Sequence, residues 1–198
     1  TAVKFLVSLV FAAALSLVIA AGCELFTGNN LVLGAASLNR TVSWRDTALL
    51  WFVCYVGNLL GSWVLILIFQ ATGITGNEAV ASFFVTTAQS KVSQGALALF
   101  TRGILCNIFV CLAVWIGTAG KTVVDKVVGI LLPIAAFVAC GFEHCVANMG
   151  TFTIGYMLLG DIGTAAVIKS QFFVTLGNIV GGICCIGLPL LYLNSEKK

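Results

Sequence analysis

The chain has 198 residues, 60% of them hydrophobic and 9% charged, with a formal net charge of +3 and a mean hydropathy of +1.11. A soluble domain carries roughly 25% charged residues, so this chain cannot cover its surface with polar groups and reads as an integral membrane protein. The small, scattered positive charge argues against a nucleic-acid partner. Eight cysteines without a pair of Cys-x-x-Cys motifs argue against a metal site or a disulfide framework.

In chain order, residues 1–21 read as a membrane helix whose one charge is Lys4, with no sign of a cleavable leader. Residues 22–29 are polar and glycine-bearing, and 30–38 resume the apolar pattern over too short a stretch to span. That is a helix, a break and a half-helix, with Leu25, Phe26 and Thr27 inside the break. A bare backbone at bilayer depth is tolerated only where protein or a watery cavity surrounds it. A turn at 39–46 precedes a full span, 47–72. Residues 73–94 read as a polar connection with an amphipathic surface helix at 77–89. A second full span covers 95–118, and 119–126 form a basic turn. Residues 127–140 are helical with a kink expected at Pro133. A second break follows at 141–148, then a half-helix to about 159, a loop at 160–170 and a last span at 171–193.

The two breaks repeat each other. Gly22, Glu24 and Asn29 recur as Gly141, Glu143 and Asn148, each 119 positions on, and Gly57-Asn58 recurs 120 positions on as Gly177-Asn178. Two matches at nearly one spacing indicate an internal repeat. Three spans separate one repeat from the next, so the copies run in opposite directions across the membrane, as in many transporters. Subtracting 119 from span 95–118 puts its counterpart before residue 1. The expected architecture is therefore one channel domain, 1–198, with residues 1–72 a first repeat lacking its first helix and 95–193 the second. Arg40, Arg45, Lys121, Lys126, Lys197 and Lys198 fall on one face and Lys4, Lys91, Arg102 and Lys169 on the other. The richer face, and with it the C-terminus, is expected in the cytoplasm.

Carboxylates and a histidine at bilayer depth are functional candidates by default. His144 is the one histidine in the chain. It suits hydrogen bonding to a passing anion, or proton donation, given its ordinary pKa of about 6.5; a structural histidine is the alternative of equal weight. Glu24 and Glu143 read first as acceptors for the backbone N–H groups that a break leaves unpaired, and second as proton relays. Thr27 either bonds a solute or caps the half-helix; Asn29 and Asn148 read as caps. Asn58 and Asn178 read as helix-packing residues. Asn107 either braces the loop or touches solute. Lys91 is a surface lysine or raises the local anion concentration at an outer mouth. Phe11, Leu15, Phe137, Leu25, Phe26 and Val110 are ordinary packing unless they meet across a pore, where they make a poorly wetting constriction.

On Gly22-Cys23-Glu24-Leu25-Phe26-Thr27-Gly28, on the segment from Arg102 to Trp115, and on Gly141-Phe142-Glu143-His144-Cys145-Val146-Ala147-Asn148-Met149, the chain resembles the formate/nitrite transporter family. The resemblance implies an all-α, aquaporin-like inverted repeat of three plus three spans with two broken helices, assembled as a homopentamer with a pore in each protomer. It implies an outer constriction of Phe11, Leu15 and Phe137, an inner one of Leu25, Phe26 and Val110, and the polar pair Thr27 and His144 between them, with Lys91 toward the outer side. Glu24, Glu143, Asn29 and Asn148 are expected to brace the breaks. The cargo implied is a small monovalent anion such as formate, nitrite or hydrosulfide, crossing the lipid bilayer of a prokaryotic inner membrane without a cofactor. Cys145 stands where the family often has serine.

Three other readings compete. A neutral-solute pore of the aquaporin kind conflicts with Asn29-Asn30-Leu31 and Asn148-Met149-Gly150, where Asn-Pro-Ala would stand. An intramembrane enzyme would need a nucleophile motif or a second histidine beside Glu143 and His144, and a purely structural assembly protein would need no pore.

Overall fold

The computed structural model describes residues 2–195, so the expectation placed on Lys197 and Lys198 lies outside the described residues. The described chain is helical: α1 (Ala2–Ala20), α2 (Phe26–Leu38), α3 (Trp44–Ala71), α4 (Glu78–Val92), α5 (Ala96–Ala119), α6 (Val123–Cys140), α7 (Cys145–Leu159), α8 (Thr164–Val180) and α9 (Leu188–Ser195). Among the described residues four helical stretches are long and apolar enough to cross a membrane: α3, α5, α6 and Thr164–Asn194. The half-helices α2 and α7 follow α1 and α6 across four- to five-residue breaks.

Each break is written in the same backbone chemistry. Gly22 and Gly141 take left-handed φ angles of 70° and 73°, where a side chain is strained and glycine is not. At the first, Gly22 N–H bonds the Ile19 carbonyl at 3.2 Å and Cys23 N–H the Val18 carbonyl at 3.0 Å. At the second, Gly141 bonds Val138 at 3.0 Å and Phe142 bonds Phe137 at 3.1 Å. Both are the Schellman arrangement that ends a helix and satisfies its last carbonyls.

Several boundaries differ from the sequence reading. Both breaks are shorter than expected, so Phe26 and Thr27 belong to α2 rather than to a loop. Helix α6 starts at Val123, because Thr122 and Asp125 form a reciprocal capping box, and it continues through Pro133. The expected loop at 160–170 shrinks to 160–163. There Asp161 Oδ1 accepts Gly163 N–H at 2.7 Å and α8 begins at once. The 77–89 surface segment is α4, capped by Asn77. The last span is not uniform: Gly181–Gly187 is wound as a π-helix. Pro189 lacks the N–H that would bond the Cys185 carbonyl, and the three glycines in the segment relax its packing.

One core joins α1, α5 and α6 around Leu15, Val110, Ile130, Ile134 and Phe137, and a second joins Phe26, Leu99, Cys145 and Val174. Helix α8 lies directly on α5. A Cβ at Gly177 would overlap the Phe100 carbonyl oxygen, and one at Gly181 the Ile104 carbonyl oxygen. Small residues at such crossings let membrane helices approach closely. Gly177→Ala is therefore expected to destabilise the fold by about 2–3 kcal/mol through overpacking, visible as a lowered melting temperature in detergent. The repeat counterparts Gly57 and Gly61 on α3 have nothing within 4 Å of a built Cβ. Outside its first turn, α3 stands with Phe52, Leu60, Trp63 and Leu65 exposed.

Candidate functional site

The two breaks meet. Thr27 Oγ1 lies 2.9 Å from His144 Nε2, with Thr27 fully buried and His144 4% exposed. A hydroxyl and an imidazole 117 residues apart in sequence thus form one polar pair inside an apolar shell. The shell is aromatic: the Phe137 ring stacks on His144 at 6.0 Å and 23°, and Phe11 presents an edge to both, 5.7 Å from Phe137 and 6.4 Å from His144. Leu15, Leu25 and Val110 belong to the same core.

The backbone fixes the histidine's tautomer. His144 is the residue that caps α7, its Nδ1 accepting the Ala147 N–H at 3.1 Å. An accepting Nδ1 carries no proton, so the neutral ring holds its proton on Nε2 and donates it to Thr27 Oγ1. The Thr27 hydroxyl hydrogen is then free for another acceptor. A second proton on the ring would face Nδ1–H against Ala147 N–H and break the cap.

Asparagines hold both breaks open to this pair, in matching geometry. Asn58 Oδ1 accepts Phe26 N–H at 3.0 Å while its Nδ2 donates to the Glu24 carbonyl at 3.1 Å. Asn178 Oδ1 accepts Cys145 N–H at 3.0 Å while its Nδ2 donates to the Glu143 carbonyl at 3.0 Å and the Gly103 carbonyl at 2.8 Å. These amides pair the backbone groups that a broken helix leaves without partners, so they are more than the packing residues the sequence suggested. The signal was present: each follows its break's glutamate by 34 or 35 residues, and each sits in the repeated Gly-Asn pair. Asn107 adds a cross-brace, its Nδ2 donating to the Thr27 carbonyl at 3.2 Å and the Asn178 carbonyl at 2.6 Å.

Four expectations change. Asn29 and Asn148 do not cap the half-helices; their Nδ2 atoms donate to Glu24 at 2.7 Å and Glu143 at 2.9 Å. The glutamates accept side chains rather than backbone N–H groups, since Glu143 also receives Lys91 Nζ at 2.7 Å and Gln94 Nε2 at 3.1 Å. Lys91 is no free surface lysine: its ammonium is paired with a carboxylate whose side chain is 3% exposed. Phe26 stands apart from Leu25 and Val110, packed on Tyr55 at 5.0 Å and Trp51 at 6.2 Å in the second core, because the first residue of α2 points toward α3. Gln94 was not anticipated at all. Its role depends on the α4–α5 turn returning to the second break, which local sequence does not encode. Lys91→Met would leave the Glu143 carboxylate buried without its cation; the expected cost is about 3 kcal/mol, read as a drop in melting temperature that Lys91→Arg largely avoids.

Two surface cavities are not lined by Thr27 or His144. One, of 540 Å³, is bounded by Glu24, Asn29, Cys54 and Asn58; the other, of 440 Å³, is apolar and lies among α3, α7 and α8. Among the described residues no group of three or more His, Cys, Asp or Glu side chains is placed to hold a metal.

Fold and site together define a multi-pass, all-helical membrane protein with two interrupted helices meeting at a buried polar pair. The chain belongs to the formate/nitrite transporter family, whose model matches residues 1–192. It is 36% identical over 211 residues to the "Formate channel FocA" of Haemophilus influenzae (strain ATCC 51907 / DSM 11121 / KW20 / Rd), covering 96% of this chain and 74% of that protein. Among solved structures it is similar to an "FNT family ion channel", with a TM-score of 0.90 and 32% identity, covering 96% of this chain and 77% of the other. It is also similar to a "Pentameric formate channel with formate bound", with a TM-score of 0.81 and 33% identity, covering 96% and 83%. It is a membrane channel of the formate/nitrite type and not an enzyme.

Proposed function

We propose that the protein is a channel for small monovalent anions, formate foremost, with nitrite and hydrosulfide as the other members of the cargo class. The observation that carries this reading is the Thr27–His144 pair: Nε2–H and the Thr27 hydroxyl can both donate to a solute that parts them, and the Lys91 ammonium on that side is paired with the Glu143 carboxylate rather than left to hold an anion too tightly. An anion needs donors to leave water, and conduction needs them weak enough to release it. Phe11, Leu15 and Phe137 form the outer slit, Leu25 and Val110 the inner one, and bulky solutes are excluded by both. Asn107 and Lys91 act behind the pair, the first through the Thr27 carbonyl and the second through Glu143.

Proton-linked passage is the second reading, favoured by the presence of a histidine at the narrow point. It requires Nδ1 to release Ala147 N–H before the ring takes a second proton, so it couples to the first turn of α7.

The architecture we propose is the aquaporin-like inverted repeat, three plus three spans, with the C-terminus in the cytoplasm of a prokaryote and five copies per assembly. Support for the sixth span is the bare groove at Gly57 and Gly61, whose counterparts Gly177 and Gly181 are covered by α5. A helix ahead of α1, equivalent to α5, fits that groove; an oligomer structure in which it stays lipid-facing contradicts this.

Proteoliposome flux measured in stopped flow tests the function. Formate and nitrite are expected to move far faster than through protein-free vesicles, and glycerol not at all. Glycerol flux without anion flux would return the neutral-solute pore.

A further inference from the structure

The structure holds a second polar centre that the anion path does not use. Asn30, on α2 one turn beyond Thr27, is fully buried, and both atoms of its carboxamide, Oδ1 and Nδ2, lack a protein partner. Asn107, also fully buried, spends Nδ2 on the Thr27 and Asn178 carbonyls and leaves Oδ1 unpaired. Both side chains flank the same backbone position, Gly182. A Cβ built on Gly182, in the π-helical stretch of the last span, would stand 2.8 Å from Asn30 Cβ, 2.8 Å from Asn107 Nδ2 and 3.2 Å from Cys111 Sγ. Three unpaired polar atoms in such a place are costly, and the residue facing them is the one type without a side chain.

The internal repeat shows that the half-helix does not need this amide. The position of α7 that matches Asn30, 119 residues on, is Met149, an apolar residue 3% exposed. The polar residue belongs to this corner alone, where α2, α5 and the π-helical stretch meet.

We infer that Asn30, Asn107 and Gly182 form a binding site for one buried water molecule. The chemistry selects the ligand. The site offers two carbonyl acceptors and one amide donor group, and a water satisfies all three by donating to Asn30 Oδ1 and Asn107 Oδ1 and accepting from Asn30 Nδ2. An anion would meet two carbonyl oxygens and is repelled; an apolar molecule would leave every amide atom unpaired. The water sits outside the polar pair yet acts on it, because it fixes the Asn107 carboxamide that holds the Thr27 carbonyl. Helix α2 at Asn30 is thereby tied to the Asn107 brace on α5 through a single exchangeable bridge.

The test is a structure of the assembled protein at a resolution that shows ordered water, for the wild type and for Asn30→Leu. In the wild type one isolated peak is expected within hydrogen-bond distance of both Asn30 Oδ1 and Asn107 Oδ1, and in Asn30→Leu that peak is lost. A wild type in which the two amides bond each other or another protein group overturns the proposal, as does a peak that persists unchanged in Asn30→Leu. Should Asn30→Leu fail to assemble, Asn30→Met serves, since methionine is the residue at the matching position of α7, lacks both amide atoms and must likewise remove the peak. The readout involves no transport, so it stands or falls separately from the assignment of cargo.

Discussion

Formate flux through His144→Phe is expected to fall about a hundredfold, the scale of a positioned proton- or hydrogen-bond-donating group. Phenylalanine keeps the stacking on Phe137 but loses both ring nitrogens. Two functions go at once, because Nδ1 also caps α7 through Ala147 N–H; that cap is worth about 1 kcal/mol. The thermal penalty of the variant measures the cap and the flux measures the donor. Thr27→Val separates them further. Valine is close to threonine in shape, leaves the cap intact and removes only the hydroxyl that faces Nε2 at 2.9 Å. Its flux is expected to fall about tenfold, equivalent to ~1.4 kcal/mol, with little change in melting temperature. Wild-type flux in both variants would separate the pair from the transport path.

The second large effect is on stability. Asn178→Leu is expected to destabilise the protein by about 4 kcal/mol. Its amide is fully buried and serves three backbone groups, Cys145 N–H and the Gly103 and Glu143 carbonyls, and each orphaned buried group costs about 1–3 kcal/mol. Its repeat partner, Asn58, serves two backbone groups, Phe26 N–H and the Glu24 carbonyl, one fewer than Asn178. Asn58→Leu is accordingly expected to cost less, about 2–3 kcal/mol. Thermal unfolding of the two variants in one detergent compares them directly. Equal shifts would mean that the second break is not the more dependent of the two.

Much of this site is readable before any coordinates. The recurrence of Gly-x-Glu and of Gly-Asn locates both interruptions, and the interruptions locate Thr27 and His144. Local grammar is also present for the start of α6, where Thr122 and Asp125 spell a capping box inside what composition marks as a basic turn. What sequence periodicity hides is long-range pairing. Lys169 and Ser170 make 160–170 look like a loop, yet Lys169 is on a helix and donates to the Gln94 carbonyl at 2.9 Å. Lys91 looks like an exposed cation until the α4–α5 turn brings it onto Glu143. Asn178 looks like a packing residue until the break 35 positions earlier turns its free N–H toward it. In each case a polar group in an apolar chain takes its meaning from a partner on another helix, and the spacing of apolar residues carries no record of that partner.

We place the exchange of water for protein around the anion at the buried hydroxyl and imidazole. The most direct measurement is the structure of the assembled protein soaked in formate. A planar three-atom density is expected, its oxygens within hydrogen-bond reach of Thr27 Oγ1 and His144 Nε2, between the Phe11–Phe137 slit and Val110. Formate found only outside that slit, with Thr27 and His144 still bonded to each other and sealed by side chains on both sides in a protein that conducts, would contradict it.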